Sequence, residues 1–487
     1  MPGSVPPSFQ KQSLGLPLIG HWIARKVYQK SPAYRHFLSQ QGINHLPPFQ
    51  ELPILEKFAY LQNHPFTDLY PDRFEHSLSL YASSGTSGKP QYWPMLRSSH
   101  RFSVPAMRFF LERIFQIHQQ KTLIIVASSL GSWLGGEHFS WVYKSIAAQS
   151  SYPLTVFTPG SHPEEIIDII AQFQDYFQQI IISIPATFIS LLLLTAQGTH
   201  PALSLQKLKF IATSEYFPES TRLRIGQQGQ HRPQDIYLVS MYGAVDANGL
   251  GVESPASIAL RQLLGEYPDL ATMLGIQTPL PLFFHSIAWD SYLEIINGKF
   301  CITRWQGIPL VRYHLPDDVA FYNWRILRKT MLTSDLIPVT HPLRLAIAAS
   351  SPLLSNIIAI AGRADKGLVW GGNNFTEAML DTAIKAEALQ PILTGFYRAK
   401  VHHTETHAQL VFDLELQPNQ IVEESLETWI RQHILETLIK LQPEFASDWR
   451  DIYQKLAPDY EMLKLNFLAW PALSELRQQT IKQNPFS

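Results

Sequence analysis

The central part of the chain alternates between short apolar runs and segments with helical periodicity. The apolar runs are rich in β-branched residues, which favour buried strands, and they span residues 123–127, 154–157, 180–184, 208–213 and 235–240. Helical patterns separate them at residues 163–173, 185–194 and 218–227. This alternation predicts an α/β fold with a mostly parallel, doubly wound sheet, because parallel strands need helical crossovers.

The pattern changes on the amino-terminal side of this centre and again beyond it. Residues 22–38 have a helical pattern and are followed by three prolines within residues 47–53, which predicts a cap of helix and loop. Residues 292–296 and 300–305 are short strand-like runs on either side of Asn297-Gly298, the pattern of a β-hairpin. The segment from about residue 281 to 318 is therefore expected to be β-rich.

A further unit is predicted after residue 362. A helical pattern at residues 375–388 precedes strand-like runs at 399–403 and 408–416 and a second helical pattern at 422–441. We therefore expect a large domain of residues 1–362 and a small, mobile α+β domain of residues 363–487.

Composition narrows the class of protein. With 487 residues, 45% of them apolar, the chain can bury a large core, and its formal charge of -1 gives no general attraction to nucleic acid. The single cysteine, Cys301, excludes an intrachain disulfide framework and fits a reducing compartment. The most apolar stretch, residues 180–196, is interrupted by Ser183 and Pro185 and is too short for a membrane span. With no secretion signal recognisable, a cytoplasmic protein is expected.

The strongest candidate chemistry lies between Tyr81 and Pro90. Glycines let a backbone approach a ligand closely, successive N–H groups and hydroxyls bind anions, and a lysine adds positive charge. The residues in question are Ser83, Ser84, Gly85, Thr86, Ser87, Gly88 and Lys89. A Walker loop is excluded, since Ser83 stands in place of its first glycine and Pro90 follows the lysine. A polyphosphate loop for ATP and a plain Ser/Gly turn remain the two interpretations of this segment alone.

The run Ser-Ser-Gly-Thr-Ser-Gly-Lys-Pro resembles the phosphate loop of adenylate-forming enzymes, which include acyl-CoA synthetases, adenylation domains and luciferases. Two later segments resemble the next motifs of that family in the family's order. Residues 212–218 contain Ser214, Glu215 and Tyr216, which the resemblance places against the adenine. In residues 240–246 it implies that Tyr242 and Gly243 border the nucleotide and that Asp246 helps to hold Mg²⁺.

Two further segments resemble the later motifs of the family, again in the family's order. Residues 309–317 resemble the motif in which an aspartate, here Asp317, accepts the ribose hydroxyls, with Asp318 as its neighbour. The sequence Gly362-Arg363-Ala364-Asp365, followed by residues 371–375, resembles the domain hinge, which implies a nucleotide contact for Arg363 and a pivot at Asp365.

The chain departs from the family pattern at three of these positions. Val245 replaces a hydroxyl residue, Asp246 replaces a glutamate, and Pro316 replaces a glycine. The shorter carboxylate of Asp246 still offers oxygen ligands to Mg²⁺, whereas Pro316 restricts the backbone and has no N–H to donate.

Residues 31–35, 52–57 and 246–253 are similar to phenylacetate-CoA ligases. The resemblance implies ATP-dependent activation of a small carboxylic acid as an acyl-adenylate and its transfer to CoA, with ATP, Mg²⁺ and CoA bound. A carrier-protein thiol is the alternative acceptor, and a non-catalytic nucleotide-binding protein is the alternative from another class. A second copy of the chain, in a homodimer, is a further expected partner.

The resemblance also implies two catalytic lysines. Lys89 would hold the outer phosphates, and a lysine near the carboxyl terminus, assigned to Lys482 with Lys464 as second choice, would contact the carboxylate and the α-phosphate. The acyl pocket is expected near residues 133–139, 185–188 and 212–216, where aromatic and small residues follow predicted strands.

Overall fold

The computed structural model describes residues 10–82, 91–213, 215–232, 234–276, 279–351, 354–363, 367–404, 406–456 and 461–473. Its strands, in chain order, are β1 (Gln10–Lys11), β2 (Ser13–Leu14), β3 (Ser77–Ala82), β4 (Tyr92–Leu96), β5 (Thr122–Val126), β6 (Leu154–Phe157), β7 (Gln179–Pro185), β8 (Leu208–Thr213), β9 (Leu238–Ala244), β10 (Asn248–Val252), β11 (Leu282–Ser286), β12 (Ser291–Ile296), β13 (Lys299–Arg304), β14 (Leu310–Leu315), β15 (Asp317–Tyr322), β16 (Ile357–Arg363), β17 (Leu368–Trp370), β18 (Asn373–Phe375), β19 (Leu393–His403), β20 (Ala408–Leu416) and β21 (Leu463–Leu468).

The α-helices, in chain order, are α1 (Pro17–Lys30), α2 (Pro32–Gln40), α3 (Lys57–Leu61), α4 (Phe66–Leu69), α5 (Arg97–Ile114), α6 (Leu134–Gln149), α7 (Pro163–Phe173), α8 (Ala186–Thr199), α9 (Glu219–Gln228), α10 (Pro255–Glu266), α11 (Pro268–Met273), α12 (Trp324–Thr333), α13 (Pro342–Ala349), α14 (Glu377–Ile384), α15 (Glu424–Leu441), α16 (Pro443–Asp448) and α17 (Gln454–Leu456). Short 3₁₀ turns lie at Phe49–Glu51, Gln174–Tyr176, Leu205–Lys207 and Glu387–Leu389, and Trp449–Tyr453 form a π-helical turn. In this part of the chain no helix is both long and apolar enough to cross a membrane.

The main sheet has a parallel half and an antiparallel half. In the described part of the chain it contains ten strands in the order β1-β15-β16-β11-β10-β9-β8-β7-β5-β6. The strands from β6 to β9 run parallel, and those from β9 to β1 run antiparallel. Helices α5 and α6 cover one face of the parallel half, and α7 and α8 cover the other. The predicted α/β class with a doubly wound sheet is confirmed, and the antiparallel half extends it.

Two element boundaries differ from the sequence prediction for clear local reasons. The expected helix over residues 22–38 is two helices, because Pro32 cannot continue the first one and Ser31 caps the second by accepting a hydrogen bond from the Tyr34 N–H (3.2 Å). The strand expected from residue 235 begins at Leu238, since the Asp235 carboxylate accepts a hydrogen bond from the Arg232 N–H (3.0 Å) and holds a turn.

A smaller antiparallel sheet, in the order β14-β13-β12-β2, forms the β-rich part. The predicted hairpin joins β12 to β13 through Asn297 (φ 50°) and Gly298 (φ 78°), the positive values that a type I′ turn requires. This sheet supplies one wall of the cleft described below.

Residues after 363 form a third sheet, β19-β20-β21, together with α14 and α15. They contact the earlier part of the chain directly. Ser129 Oγ donates a hydrogen bond to Asp448 Oδ1 (2.9 Å), and the rings of Phe188 and Tyr453 meet edge to face with centroids 4.9 Å apart. The division of the chain at residue 362 into a fixed and a mobile domain stays a prediction.

Candidate active site

The carboxyl ends of β8 and β9 open into a cleft with a volume of about 1060 Å³. Thr213 and Tyr242 line it from the main sheet, the beginning of α6 and one face of α5 line it from one side, and β13 to β15 line it from the other. Ligands of open α/β sheets bind at such strand ends, and the volume is at the upper end of the usual range for small-molecule sites. The cleft is therefore the candidate active site.

Two predicted nucleotide residues meet in this cleft. Tyr242, near the end of β9, donates a hydrogen bond to Asp317 Oδ2 at 2.7 Å. Asp317 begins β15, where it pairs in register with Arg363 of β16, and it lines the cleft. The next residue, Asp318, is exposed, since neighbouring side chains of a strand point to opposite faces. Of the two adjacent carboxylates, Asp317 is the one placed to contact a ligand in the cleft.

The predicted metal ligand, Asp246, also lines the cleft. It lies in the turn between β9 and β10, and its Oδ2 accepts a hydrogen bond from the Tyr313 hydroxyl (2.9 Å). Burial and the Asp246 charge raise the pKa of Tyr313 well above its ordinary value, so the phenol stays protonated as a donor. The carboxylate of Asp246 is thus oriented by a buried tyrosine, which the sequence analysis did not identify.

Gly243 has a structural requirement of its own. A Cβ at this position would collide with the backbone oxygen of Asn248 on the neighbouring strand, where the β9–β10 pairing shifts its register. The close approach of the two strands explains a glycine beside Tyr242, independently of any ligand.

The Glu215 side chain lines the cleft and joins two elements of the fold. It accepts hydrogen bonds from the N–H and the hydroxyl of Thr187 (2.5 and 2.7 Å), at the beginning of α8, and from the N–H groups of Gly371 and Gly372. Burial raises the pKa of Glu215 to about 7 in spite of these donors. A nucleotide contact by this cleft residue stays a prediction.

Tyr216 lines the cleft, and contacts outside the cleft fix its side chain. Its hydroxyl donates to Leu280 O (3.0 Å), and the Arg261 guanidinium lies over its ring at 5.4 Å. Nearby, the buried Arg222 and Glu253 form an ion pair (2.8 Å) that joins α9 to the segment after β10. These arginines support the end of β8 and make no contribution to the cleft lining.

Several predicted site residues lie outside the described residues. They are Ser83, Ser84, Gly85, Thr86, Ser87, Gly88, Lys89, Ser214, Asp365 and Lys482. Strands β3 and β4 flank the segment 83–90 and pair as a hairpin from Ala82 and Tyr92 onward, and Ala82 and Trp93 line the cleft. The residues on both sides of the predicted phosphate loop therefore lie beside the cleft. For Arg363 the structure gives the backbone pairing with Asp317, and Lys464 is exposed on β21.

The apolar end of the cleft differs from the predicted acyl pocket. Trp133 and Phe139 line it as expected, whereas residues 185–188 are not among the lining residues, and Phe188 is fully buried against Tyr453. The sequence analysis missed the face of α5, where Phe102, Ala106, Met107 and Phe110 line the cleft. Residues 102, 106 and 110 are spaced four apart, which was the signal for one helical face.

Two further carboxyl groups lie at the contact between α16 and the earlier part of the chain. Asn373 Nδ2 donates to Asp448 Oδ2 (2.7 Å), and burial raises the pKa of Asp448 to about 6. Glu444 lines the cleft, and burial together with the neighbouring Asp448 raises its pKa to about 8. Near neutral pH these groups change charge at the edge of the cleft.

Solved structures resemble this chain over most of its length. A 2-hydroxyisobutyryl-CoA ligase in complex with 2-HIB-AMP and CoA matches with a TM-score of 0.53 and 14% identity, over 93% of this chain and 86% of the other. An amide bond synthetase from Marinactinospora thermotolerans (TM-score 0.33, 10% identity, 82% and 69% coverage) and an AMP-forming acyl-CoA synthetase-like protein from Dyadobacter fermentans (0.32, 11%, 84% and 92%) fit too loosely to add an argument.

At 14% identity the first likeness shows the fold alone. The chain has the fold of adenylate-forming ligases, as the motif resemblance implied. A scan against protein-family models found no match, and a search of the curated proteins found none either.

Proposed function

We propose that this protein is an AMP-forming acid-thiol ligase, which activates a carboxylic acid with ATP and transfers the acyl group to a thiol. The observation that carries the proposal is the meeting of two separate motif-like segments, residues 240–246 and 309–317, in one cleft. Tyr242 is hydrogen-bonded to Asp317 at 2.7 Å, and Asp246, four residues after Tyr242, is oriented by Tyr313 of β14. A ligand bound in the cleft would contact these converging side chains together.

The nucleotide would lie along this polar wall. We assign the ribose to Asp317, the border of the adenine to Tyr242 and Tyr216, and the outer phosphates to the segment from Ser83 to Lys89. The Asp246 carboxylate suits Mg²⁺, because its oxygens are hard ligands and one of them is already oriented by a hydrogen bond. When bound, Mg²⁺ would neutralise phosphate charge.

The chemistry requires two displacements. First, a carboxylate oxygen of the acid attacks the α-phosphorus of ATP, an acyl-adenylate forms and pyrophosphate leaves. A thiol sulfur then attacks the acyl carbon, and AMP leaves with its electron pair. The chain's own contribution is to position the reactants and to stabilise phosphate charge, with Lys89 and Lys482 as the proposed cations.

CoA is the proposed acceptor, and an aromatic acid of the phenylacetate type is the proposed substrate. The 2-hydroxyisobutyryl-CoA ligase of similar fold holds CoA, and the aromatic side chains of Trp133, Phe139 and Phe110 line the apolar end of the cleft. We also propose that residues 363–487 move as a unit between the two steps, so that the thiol can replace pyrophosphate in the cleft.

The test is exchange of labelled pyrophosphate into ATP across a panel of aromatic, fatty and short acids. We expect exchange that depends on the acid, and a loss of at least about a hundredfold in Lys89→Ala. Lys440→Ala is the matched control, because Lys440 is exposed on α15, and it should retain full exchange.

Two outcomes would redirect the proposal. Nucleotide binding without exchange for any acid would favour a non-catalytic nucleotide-binding protein. Exchange followed by acyl transfer to a carrier protein, but not to CoA, would assign the other thiol.

A further inference from the structure

Arg304, at the end of β13, is a buried cation with unused hydrogen-bond donors. Its side chain is 6% exposed and lines the cleft. Nη2 donates to Asp290 Oδ2 (3.3 Å), whereas Nε and Nη1 are buried without a hydrogen-bond partner. Within the described ranges, no other arginine has a buried terminal nitrogen that lacks a partner.

A buried cation with unpaired donors lowers the stability of the fold unless a ligand accepts hydrogen bonds from it. A buried donor without an acceptor loses its hydration and gains nothing in return, and the cost is greater for a charged group. Asp290 cannot relieve it alone, because its Oδ2 also accepts from Gln306 Nε2 (2.8 Å). Nε and Nη1 lie on either side of Nη2 and on different edges of the planar guanidinium, so each can donate separately to an oxygen of an anion such as a phosphate or a carboxylate.

Hydrogen bonds connect Arg304 to the surroundings of the predicted metal ligand. Arg304 and Tyr313 stand on the adjacent strands β13 and β14, where Ile302 pairs with Tyr313 and the register shifts before Arg304 pairs with Leu310, and both side chains line the cleft. Tyr313 is the residue that orients Asp246.

A second connection passes through side-chain amides. Gln306, which is bonded to Asp290, accepts a hydrogen bond from Asn248, two residues after Asp246. Asn248 Nδ2 also contacts Met95 Sδ of β4 at 3.5 Å.

The same corner adjoins the hairpin that carries the predicted phosphate loop. Gly307 lies so close to the Pro94 carbonyl of β4 that a Cβ at this position would collide with it. The preceding residue of β4, Trp93, is 6% exposed, lines the cleft and has a buried Nε1 without a partner. The indole N–H and the guanidinium therefore supply unused donors on two adjoining elements.

We infer that Arg304, assisted by Trp93, forms an anion subsite for the β- and γ-phosphates of ATP and for the pyrophosphate product. The inference rests on the proposed function and adds a second cation to the predicted phosphate loop. The position beside Asp246 and the β3–β4 hairpin favours phosphate oxygens over the carboxylate of the acid, which has to reach the α-phosphate further along the nucleotide.

The experiment compares pyrophosphate, ATP and AMP binding by calorimetry in wild type, Arg304→Lys and Trp93→Phe, with Mg²⁺ present. AMP is the informative ligand because it has the adenosine and the α-phosphate but lacks the outer phosphates. We expect Arg304→Lys to weaken pyrophosphate and ATP binding about ten- to a hundredfold, and AMP binding less than about twofold. Trp93→Phe should weaken the first two by about two- to tenfold.

Arg232→Lys is the matched control, since Arg232 also pairs with an aspartate, Asp235 (3.0 Å), but is exposed and outside the cleft. Unchanged pyrophosphate and ATP affinity in Arg304→Lys and Trp93→Phe would overturn the inference. An equal loss of ATP and AMP binding would make Arg304 a structural residue and overturn it too. A raised KM for the acid with unchanged pyrophosphate binding would assign the subsite to the carboxylate.

Failure of the proposed function has a different signature. A wild type that binds ATP and pyrophosphate but exchanges label with no acid contradicts the ligase, and the Arg304→Lys comparison still decides the subsite. A wild type that binds neither ligand overturns both proposals.

Discussion

Arg312 and Arg304 occupy neighbouring strands of the same four-stranded sheet, and both are buried, at 7% and 6% exposure. Each has an acidic partner, Glu294 for Arg312 and Asp290 for Arg304. All three nitrogens of Arg312 donate hydrogen bonds, to the two Glu294 oxygens and to the backbone oxygens of Gln50 and Leu52. Arg304 uses one nitrogen of three.

The difference is that between a structural cation and the cation that we infer to bind a ligand. Arg312 connects the amino-terminal segment to the sheet, and its backbone accepts a φ of 49°, which is unfavourable for a residue with a side chain. Arg304 lines the cleft with donors unused, so a ligand can supply what the protein does not. The hydrogen bonds thus give Arg312 a structural role and leave Arg304 with donors for the anion subsite inferred above.

The largest effect should come from replacing Arg312, whose three side-chain nitrogens all donate hydrogen bonds. Arg312→Ala removes the hydrogen bonds to the backbone oxygens of Gln50 and Leu52 and leaves the Glu294 carboxylate buried without its cation. We therefore expect a loss of about 3–5 kcal/mol in the free energy of unfolding. Denaturant unfolding measures it. The double variant Arg312→Met with Glu294→Met should recover much of the loss, because no uncompensated charge remains. A stable Arg312→Ala would contradict the structural role.

A cleft carboxylate should affect affinity rather than stability. In Asp317→Ala we expect ATP and AMP binding to weaken together, by about ten- to a hundredfold, since both ligands carry the ribose. This differs from the selective loss expected for Arg304→Lys. Asp318→Ala is the control, because Asp318 is the exposed neighbour on the same strand, and it should bind both ligands as wild type does. Equal effects of the two substitutions would argue against the assignment of Asp317.

Removing the one partner of Arg304 should increase anion binding. Asp290→Asn keeps the size of the side chain but removes a negative charge that competes for the guanidinium, so pyrophosphate binding should tighten about two- to tenfold. Titration calorimetry at low ionic strength gives the affinity. If pyrophosphate binding weakens instead, the main effect of Asp290 is to orient Arg304 and not to compete with the anion for the guanidinium.

The last effect concerns pH at the cleft edge. Burial and the neighbouring Asp448 raise the pKa of Glu444 to about 8 from its ordinary value of 4.5, so across this interval the folded protein holds a proton that the unfolded chain has released. Folding is therefore weakened as pH rises through that range. Glu444→Gln has no such proton, and its unfolding free energy should exceed that of wild type by on the order of a few kcal/mol at pH 8 but by less than about 1 kcal/mol at pH 5.

Thermal unfolding of both proteins at the two pH values measures the difference. Asp448, whose pKa is raised to about 6, and Glu215, whose pKa is raised to about 7, titrate in both proteins and largely cancel in the comparison. A difference that is independent of pH would mean that Glu444 does not titrate in this window.

Local patterns determined most of the elements. The runs at residues 154–157 and 208–213 and the helix at 163–173 have the predicted bounds, because β-branched runs and helical periodicity are properties of neighbours in the chain. The order of motifs likewise identified Tyr242, Asp246 and Asp317, which the structure places in one cleft.

The sequence by itself thus determined the α/β class, the hairpin at Asn297-Gly298 and the candidate nucleotide residues. Only the tertiary structure decided that Glu215 is bonded to Thr187, that Phe188 lies behind the cleft and that α5 lines it. The same holds for Arg304 and Arg312, which stand eight positions apart in similar β-rich surroundings. Whether a buried donor is satisfied depends on acceptors that come from distant parts of the chain, such as Gln50 and Leu52 for Arg312, and no pattern of neighbouring residues contains that information.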